Sequence, residues 1–184
     1  MQLKDFYNLN RYNDLATDKG REHDYIDAYY DRIFSPLKDD KIKILEIGIY
    51  KGYSTRLWRS YFPNAELFTI ENGLESGGRP IVDNVIQYWT DGYCQETLDL
   101  FDNDYFDFII DDGPHTLESQ IYSATHWIEK LKLGGTLIIE DVKESEHFVQ
   151  LNEAASINNQ KGKLYDFRLN KGRSDDMIFE IIKE

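Results

Sequence analysis

The segment over residues 43–58, KILEIGIYKGYSTRLW, constrains the fold of this chain more than any other. An apolar run leads into a turn with two glycines, and a helical segment follows the turn. Ser54 is placed to cap that helix, and Pro63 lies just beyond its end. The pattern predicts a strand over about residues 41–49, a tight turn, and a short helix over about residues 54–61.

The turn has the spacing E-x-G-x-x-x-G, formed by Glu46, Gly48 and Gly52. Glycine lacks a Cβ, so its backbone can approach a ligand closely, and the N-terminus of a helix favours anionic groups. We therefore expect Glu46, Gly48 and Gly52 to belong to a nucleotide-type cofactor site. A tight strand-to-helix turn without a ligand is the alternative.

Strand-like and helix-like segments alternate along the rest of the chain. Gly134-Gly135 is expected to close the longest helix, and the polar turn NKGRSDD to join the last two strands. Further strands are expected over about residues 66–71, 84–89, 106–111, 136–139, 163–169 and 177–182, and helices over about residues 95–101, 117–131 and 146–157. This order predicts an α/β fold with a Rossmann-like, doubly wound sheet, mostly parallel and ending in an antiparallel hairpin.

Acidic residues lie at the carboxyl ends of four of the predicted strands, and the first of these strands carries Glu46. Glu71 ends the second strand about 20 residues after the glycine turn, where an acid can accept hydrogen bonds from ribose hydroxyls. Asp111 and Asp112 end the fourth strand, and Glu140-Asp141 follows the fifth. Side chains alternate in direction along a strand, so one of Asp111 and Asp112 faces the ligand edge, and Asp112 is the better candidate. Open sheets bind ligands at this edge.

Length and composition fit a single globular domain. A chain of 184 residues with 41% apolar and 30% charged residues can form one core, so we expect one domain over residues 1–184. The loop over residues 72–78, NGLESGG, has a turn composition. The polar stretch over residues 1–40 is expected to form an N-terminal lid or cap.

Net charge and cysteine content indicate which partners and which cellular compartment to expect. The net charge of −13 disfavours binding to nucleic acid. The sequence has no run of about 18 apolar residues, so no membrane span is expected. The single Cys94 excludes an internal disulfide, and no charged segment precedes an apolar run at the N terminus. These features favour the cytoplasm and a small-molecule substrate, and leave a homo-oligomer open.

Longer motifs resemble a known family. They are TDKG at residues 17–20 with His23 and Tyr25, LEIGIYKGYSTRLW at 45–58, YFPNA at 61–65, IDDGPHTLESQ at 110–120, and LKLGGTLIIEDV at 131–142. Together they resemble class I S-adenosylmethionine-dependent methyltransferases, and in particular the small relatives of macrolide-sugar O-methyltransferases. The pairing of DDGPH with IIED is more specific than the glycine turn.

The resemblance implies roles for individual residues. Asp112, Glu140 and Asp141 would bind Mg²⁺, and three carboxylates suit this oxygen-preferring cation; capping of the next helix is the alternative for Glu140 and Asp141. His115 would be the general base on a sugar hydroxyl, unless it is only a loop residue. Asp91 would face the adenine amine, or would simply open a turn. We also place Asp111 in the cofactor site.

The expected function is therefore methyl transfer from S-adenosylmethionine, with Mg²⁺, to a hydroxyl of a sugar or other small molecule. Two alternatives remain open from the sequence. One is a module that binds S-adenosylmethionine without turnover. The other is a nicotinamide-dependent oxidoreductase, against which the E-x-G-x-x-x-G spacing and the terminal hairpin both argue.

Overall fold

Seven strands in residues 1–73 and 78–184, the part of the chain that this computed structural model describes, form one sheet. The strands are β1 Lys43–Ile47, β2 Glu66–Ile70, β3 Ile86–Tyr88, β4 Phe106–Asp111, β5 Leu131–Ile139, β6 Gly162–Asp166 and β7 Met177–Ile182. Their order across the sheet is β3-β2-β1-β4-β5-β7-β6. Strands β1 to β5 pair in parallel, whereas β7 is antiparallel to both of its neighbours. The predicted fold class is confirmed.

Helices cover both faces of the sheet. The α-helices are α1 Leu3–Asn10, α2 Asp18–Arg21, α3 Asp31–Phe34, α4 Tyr53–Tyr61, α5 Gln95–Leu98, α6 Leu117–His126, α7 His147–Ser156 and α8 Arg168–Lys171. A π-helical turn, Ile26–Tyr30, leads directly into α3, and 3₁₀ turns lie at Ser35–Leu37 and Trp127–Lys130. Within the described ranges, no helix combines the length and the apolar character needed to cross a membrane.

Side chains of the central strands alternate between two hydrophobic cores. Leu45 and Ile47 pack in one core, with α6 and α7, and Ile44 packs in the other, with α4 and the N-terminal helices. Ile109 and Ile110 divide in the same way. Because both faces are buried, these strands are almost continuously apolar, as the sequence pattern indicated.

The predicted boundary between α6 and β5 is wrong. The chain leaves the helix at His126, makes one 3₁₀ turn, and enters β5 at Leu131. The glycine pair therefore lies inside the strand: the N–H of Gly134 donates to Lys183, and the N–H of Lys183 donates to Gly135. Gly134 has φ +78°, and the β4–β5 register shifts near Phe106. These glycines bend a strand and do not close a helix.

Two smaller expectations also change, and a third is not tested. Helix α4 starts at Tyr53 behind Gly52, whose left-handed backbone (φ 75°) occupies the cap position, so Ser54 is not the N-cap. Strand β6 ends at Asp166 and not at residue 169, because the short helix α8 begins at Arg168. The first residues of the predicted turn NKGRSDD lie in this helix. Part of the predicted loop over residues 72–78 lies outside the described residues.

The N-terminal segment forms part of the second core. Tyr25, Ile26, Tyr29, Tyr30 and Phe34 are all fully buried there against β1 and α4. These five residues recur at helical spacing along the sequence, a pattern that indicates a buried helix face and that the expectation of a lid did not take into account. The segment is built into the fold and brings its polar side chains to the sheet edge described next.

Candidate active site

A pocket of about 410 Å³ opens at the carboxyl ends of β1, β2 and β4. This is the edge at which the strand order reverses, because β1 lies between β2 and β4. Five of the predicted site residues line the pocket: Gly48, Glu71, Asp91, Asp112 and His115. Asp18 and Tyr93, which the sequence did not place in the cofactor site, line it as well.

Gly48 is required by the protein backbone. Its φ is +80°, and a Cβ at this position would collide with the main-chain carbonyl of Asp112. The N–H of Asp112 donates to the carbonyl of Ile47, so β1 and the end of β4 approach each other closely there. We expected the missing side chain to make room for a ligand, but it first makes room for the neighbouring strand.

Glu71 organises the glycine turn. Its Oε2 accepts hydrogen bonds from the N–H groups of Ile49 and Tyr50, each 3.0 Å away, and its Oε1 accepts one from Gly73 at 2.8 Å. A carboxylate that accepts several backbone N–H bonds is held in one orientation. The acid therefore has a defined place on the pocket wall beside the turn.

Glu46 and Gly52 are outside the pocket lining. Glu46 is buried and accepts hydrogen bonds from Thr55 Oγ1 at 2.6 Å and Trp58 Nε1 at 3.1 Å, which tie β1 to α4. A Cβ on Gly52 would meet the side chain of Val82 at 3.3 Å. The structure gives both residues a role in shaping the turn.

Asp91 and Asp111 are linked through Tyr93. Asp91 Oδ1 accepts a hydrogen bond from the N–H of Tyr93 at 3.0 Å, which is the turn geometry that an Asp-Gly pair favours. The hydroxyl of Tyr93 donates to Asp111 Oδ1 at 2.5 Å. Asp111 lies behind the pocket wall, and burial raises its pKa. Asp91 and Tyr93 thus line the pocket, and Asp111 holds Tyr93 in place from behind the pocket wall.

The predicted metal ligands lie together beside the pocket, where Asp112 belongs to the lining and Glu140 and Asp141 lie outside it. Asp112 follows β4, Glu140 and Asp141 follow β5, and these two strands are hydrogen-bonded neighbours. Gln120 of α6 fixes the second pair, because its Nε2 donates to the carbonyls of Glu140 at 3.0 Å and Asp141 at 3.4 Å. We call Asp112, Glu140 and Asp141 the carboxylate centre.

Lys19 enters the carboxylate centre from the N-terminal segment. Its Nζ is 2.5 Å from both Asp112 Oδ2 and Glu140 Oε2, and 4.0 Å from Glu46 Oε1. Burial alone would lower the pKa of Lys19, but the neighbouring carboxylates raise it well above its ordinary value. Burial also raises the pKa of Asp112 to about 7 and that of Glu140 well above its ordinary range. The TDKG motif marked this lysine without indicating its partners.

Tyrosines from the same segment hold Glu140 and Asp141. Tyr30 donates a hydrogen bond to Glu140 Oε1, and Tyr25 donates one to Asp141 Oδ1 at 2.8 Å. His23 lies 3.6 Å from Asp141 Oδ1 and 2.5 Å from Asp176, which follows the α8 turn. Each acid of the carboxylate centre therefore has at least one oxygen held by residues 17–30.

His115 faces two acids of the centre. Its Nε2 is 3.7 Å from Asp112 Oδ1 and 3.7 Å from Asp141 Oδ2, and its side chain is 28% exposed towards the pocket. One ligand atom from each of these three residues lies within 4.8 Å of the others, a spacing that suits a divalent cation. Both Glu140 oxygens, by contrast, already have partners. The donor set fits an oxygen-preferring cation, and access to Glu140 depends on Lys19.

Comparison with known proteins agrees with this architecture. Residues 45–142 match the family described as Methyltransferase domain. The chain belongs to that family. The resemblance inferred from the sequence is thereby confirmed, and the family match covers the glycine turn, DDGPH and IIED, including every residue of the proposed cofactor and metal sites.

Curated relatives are longer than this chain. Mycinamicin VI 2''-O-methyltransferase from Micromonospora griseorubida is 31% identical over 62% of this chain and 30% of the relative. An L-rhamnosyl tetracenomycin C 3'-O-methyltransferase from Streptomyces olivaceus is 27% identical over 69% of this chain and 34% of its own length. This methyltransferase-family chain thus spans about a third of the curated relatives that it matches.

Solved structures show the same fold. The MycE methyltransferase of the mycinamycin biosynthetic pathway, in complex with Mg, SAH and mycinamycin VI, superposes with a TM-score of 0.68 over 93% of this chain and 54% of that chain, at 20% identity. A second structure of MycE, with Mg and SAH, aligns at 26% identity with a TM-score of 0.55 over 70% of this chain and 36% of that chain.

Proposed function

We propose that this methyltransferase-family protein transfers the methyl group of S-adenosylmethionine to a hydroxyl oxygen of a sugar or other small polyol, with Mg²⁺ at the carboxylate centre. The observation that carries the proposal is that the same pocket is lined by Gly48 and Glu71 of the proposed cofactor site and by Asp112 and His115 of the proposed metal and proton-transfer site. The relatives named as O-methyltransferases and the Mg- and SAH-bound MycE structure support it.

The proposed cofactor site has polar groups in fixed positions. Asp91 and the glycine turn face the pocket, and Glu71 is held by three backbone N–H groups. A carboxylate in this position accepts hydrogen bonds from ribose hydroxyls. S-adenosylmethionine supplies a methyl group activated by its sulfonium, so the protein has to align the acceptor and remove one proton.

His115 is the group that takes the proton. The acceptor oxygen forms a bond to the methyl carbon as the sulfur–methyl bond breaks, and the hydroxyl proton passes to the imidazole nitrogen. Asp112 and Asp141 lie 3.7 Å from that nitrogen and stabilise the charge it gains. Mg²⁺ held by Asp112, Glu140 and Asp141 would orient a substrate hydroxyl and lower its pKa.

Calorimetry with two ligands tests the identity of the cofactor. S-adenosylhomocysteine should bind the wild-type protein and NAD should not, whereas tight NAD binding would support the oxidoreductase alternative. Glu71→Gln should weaken S-adenosylhomocysteine binding by about 1.5–3 kcal/mol, the scale of a hydrogen bond to a charged group. Glu66→Gln is the matched control, because Glu66 is exposed at the opposite end of β2. Equal binding by both variants would remove Glu71 from the site.

Turnover separates an enzyme from a binding module. Labelled S-adenosylmethionine is incubated with a panel of sugars and small polyols, with MgCl₂ or with EDTA. We expect labelled product with at least one acceptor, loss of transfer in EDTA, and recovery with excess Mg²⁺. Binding without transfer to any acceptor would favour the module, and full transfer after exhaustive chelation would remove Mg²⁺ from the proposal.

A further inference from the structure

A buried lysine neutralises the carboxylate centre from within. Only 1% of the Lys19 side chain is exposed, and its ammonium nitrogen bridges Asp112 and Glu140 at 2.5 Å on each side. These carboxylates come from two different strands, and Lys19 precedes them by 93 and 121 residues. A cationic group therefore already lies between two of the acids that the proposed function assigns to Mg²⁺.

A metal ion that binds Glu140 must either share an oxygen with Tyr30 or Lys19 or displace one of these partners. Tyr30 is fully buried, with its ring packed against Phe34 at 5.1 Å and Trp58 at 5.1 Å, so its hydroxyl has little freedom to move. Lys19 reaches the acid through a flexible four-carbon side chain on a helix of only four residues. Lys19 is thus the partner that can move away.

Charge leads to the same conclusion. Mg²⁺ binds carboxylate oxygens at about 2.0–2.1 Å. An ammonium that kept its contacts to the same oxygens would remain close to the dication in a buried site, where repulsion between like charges is strong. Asp112 and Glu140 cannot hold both cations tightly through those oxygens.

We infer that Lys19 and a divalent cation compete for Asp112 and Glu140, so that Mg²⁺ binding expels the Lys19 ammonium from the carboxylate centre. The inference rests on the metal site of the proposed function. Lys19 is then the internal cation that keeps the acids paired, and the folded protein stable, while no metal is bound. The competing arrangement leaves Lys19 in place and uses Asp112 Oδ1, Asp141 Oδ2 and His115 alone.

Magnesium titrations of metal-stripped protein test the competition directly. Lys19→Met removes the charge with little change in length, so it should bind MgCl₂ about tenfold or more tightly than wild type by calorimetry. Without metal it should melt at a lower temperature, and MgCl₂ should raise its melting temperature more than that of wild type. Lys130→Met is the matched control: Lys130 is also buried, but it binds the carbonyl of Phe101 and the side chain of Asn103.

Unchanged or weaker Mg²⁺ binding by Lys19→Met would overturn the inference, as would a failure of Mg²⁺ to bind either protein. A second measurement uses the wild-type chain, in case the variant does not fold. Amine acylation followed by peptide mass spectrometry should label Lys19 faster when MgCl₂ is present, and should label Lys130 at the same rate with and without it. Constant labelling of Lys19 at saturating MgCl₂ would show that the ammonium stays in place.

The cofactor experiment keeps this result separate from the proposed function. Binding of S-adenosylhomocysteine is measured on the same samples without Mg²⁺. If the cofactor product binds but Lys19→Met leaves Mg²⁺ affinity unchanged, only the competition is wrong. If Mg²⁺ binding tightens but S-adenosylhomocysteine does not bind, the competition holds and the proposed transferase activity fails.

Discussion

At the scale of single residues, several positions near the pocket have a backbone that side chains rarely adopt. Tyr50, His115 and Asp141 have φ values of 46°, 53° and 53°. Non-glycine residues in this region cost free energy and persist where the surroundings fix them. Two of the three belong to the group proposed to bind metal and move the proton, so their orientation is set by the main chain as well as by hydrogen bonds.

Two glycines allow the cost of lost close packing to be separated from the cost of a left-handed backbone. Gly134 has nearly the same φ as Gly48, +78° against +80°. A Cβ on Gly134 would meet no atom of the described residues within 4 Å, whereas one on Gly48 would collide with Asp112. Gly134→Ala should cost about 1–2 kcal/mol, the penalty of a left-handed backbone. Gly48→Ala should lower the free energy of unfolding by clearly more in urea titrations. Equal losses would mean that the β1–β4 approach can relax.

His115→Ala should separate binding from turnover. If the imidazole removes the hydroxyl proton, kcat should fall by about 10² to 10⁴, the usual contribution of positioned proton transfer. Affinity for S-adenosylhomocysteine should stay nearly constant, because Glu71 and Asp91 line the pocket independently of His115. His126→Ala is a suitable control, since His126 packs against Tyr122 at 4.5 Å. Wild-type transfer rates in the His115 variant would assign proton removal elsewhere.

At the scale of elements, the N-terminal helices are joined by one buried acid. Asp31, at the start of α3, accepts hydrogen bonds from Ser35 Oγ at 2.7 Å and from the N–H of Lys4 in α1 at 3.0 Å. Burial alone would raise the pKa of Asp31, but these hydrogen bonds outweigh burial and lower the pKa below its ordinary value. The junction is therefore sensitive to acid.

Asp31→Asn should lower the free energy of unfolding by about 1–3 kcal/mol at pH 7, the cost of weakening hydrogen bonds to a charged group. The folded-state pKa lies below the unfolded one, so the ionised acid stabilises the fold fully above the unfolded value of about 3.9. This contribution is lost as the pH falls through the folded-state pKa. Urea unfolding at pH 7, 5 and 3 measures it.

The exposed acid Asp5 in α1 provides the control for that series. Asp5→Asn should differ little from wild type at every pH. A difference between wild type and Asp31→Asn that stays constant down to pH 3 would show that the ionised form of Asp31 is not what stabilises the junction.

At the scale of the whole molecule, residues 1–40 contribute to both the core and the carboxylate centre. The buried side chains of this segment include Tyr25, Ile26, Tyr29, Tyr30 and Phe34. Burial of a large apolar side chain contributes about 1.5–3 kcal/mol. Five such side chains together approach the net stability of a typical domain, about 5–15 kcal/mol.

Removal of residues 1–40 should therefore abolish cooperative unfolding, and not merely impair activity. Circular dichroism during heating measures this, with removal of only the exposed Met1 and Gln2 as the control. A truncated protein that still melted cooperatively near the wild-type temperature would show that the segment is a lid on an independently stable fold.

The sequence by itself determined the alternation of strands and helices, the antiparallel hairpin and the edge on which the acids meet. These follow from local patterns: apolar period, glycine spacing, and the rule that parallel strands present their carboxyl ends together. Asp112, Glu140 and Asp141 could be brought to one edge by strand assignment alone, because each lies within two residues of the end of a strand. The boundary at Leu131 was wrong because a glycine pair can bend a strand as readily as it can end a helix.

Only the tertiary structure decided the partners of those acids. The sequence pattern placed Glu46 in the cofactor site, but Thr55 and Trp58 donate hydrogen bonds to it inside the fold. Lys19 lies 121 residues before Glu140, and no local pattern encodes a contact at that separation. Burial excludes water from such groups, so each charge must find a partner among whatever side chains packing brings to it. Packing of the N-terminal segment on the sheet supplies those partners.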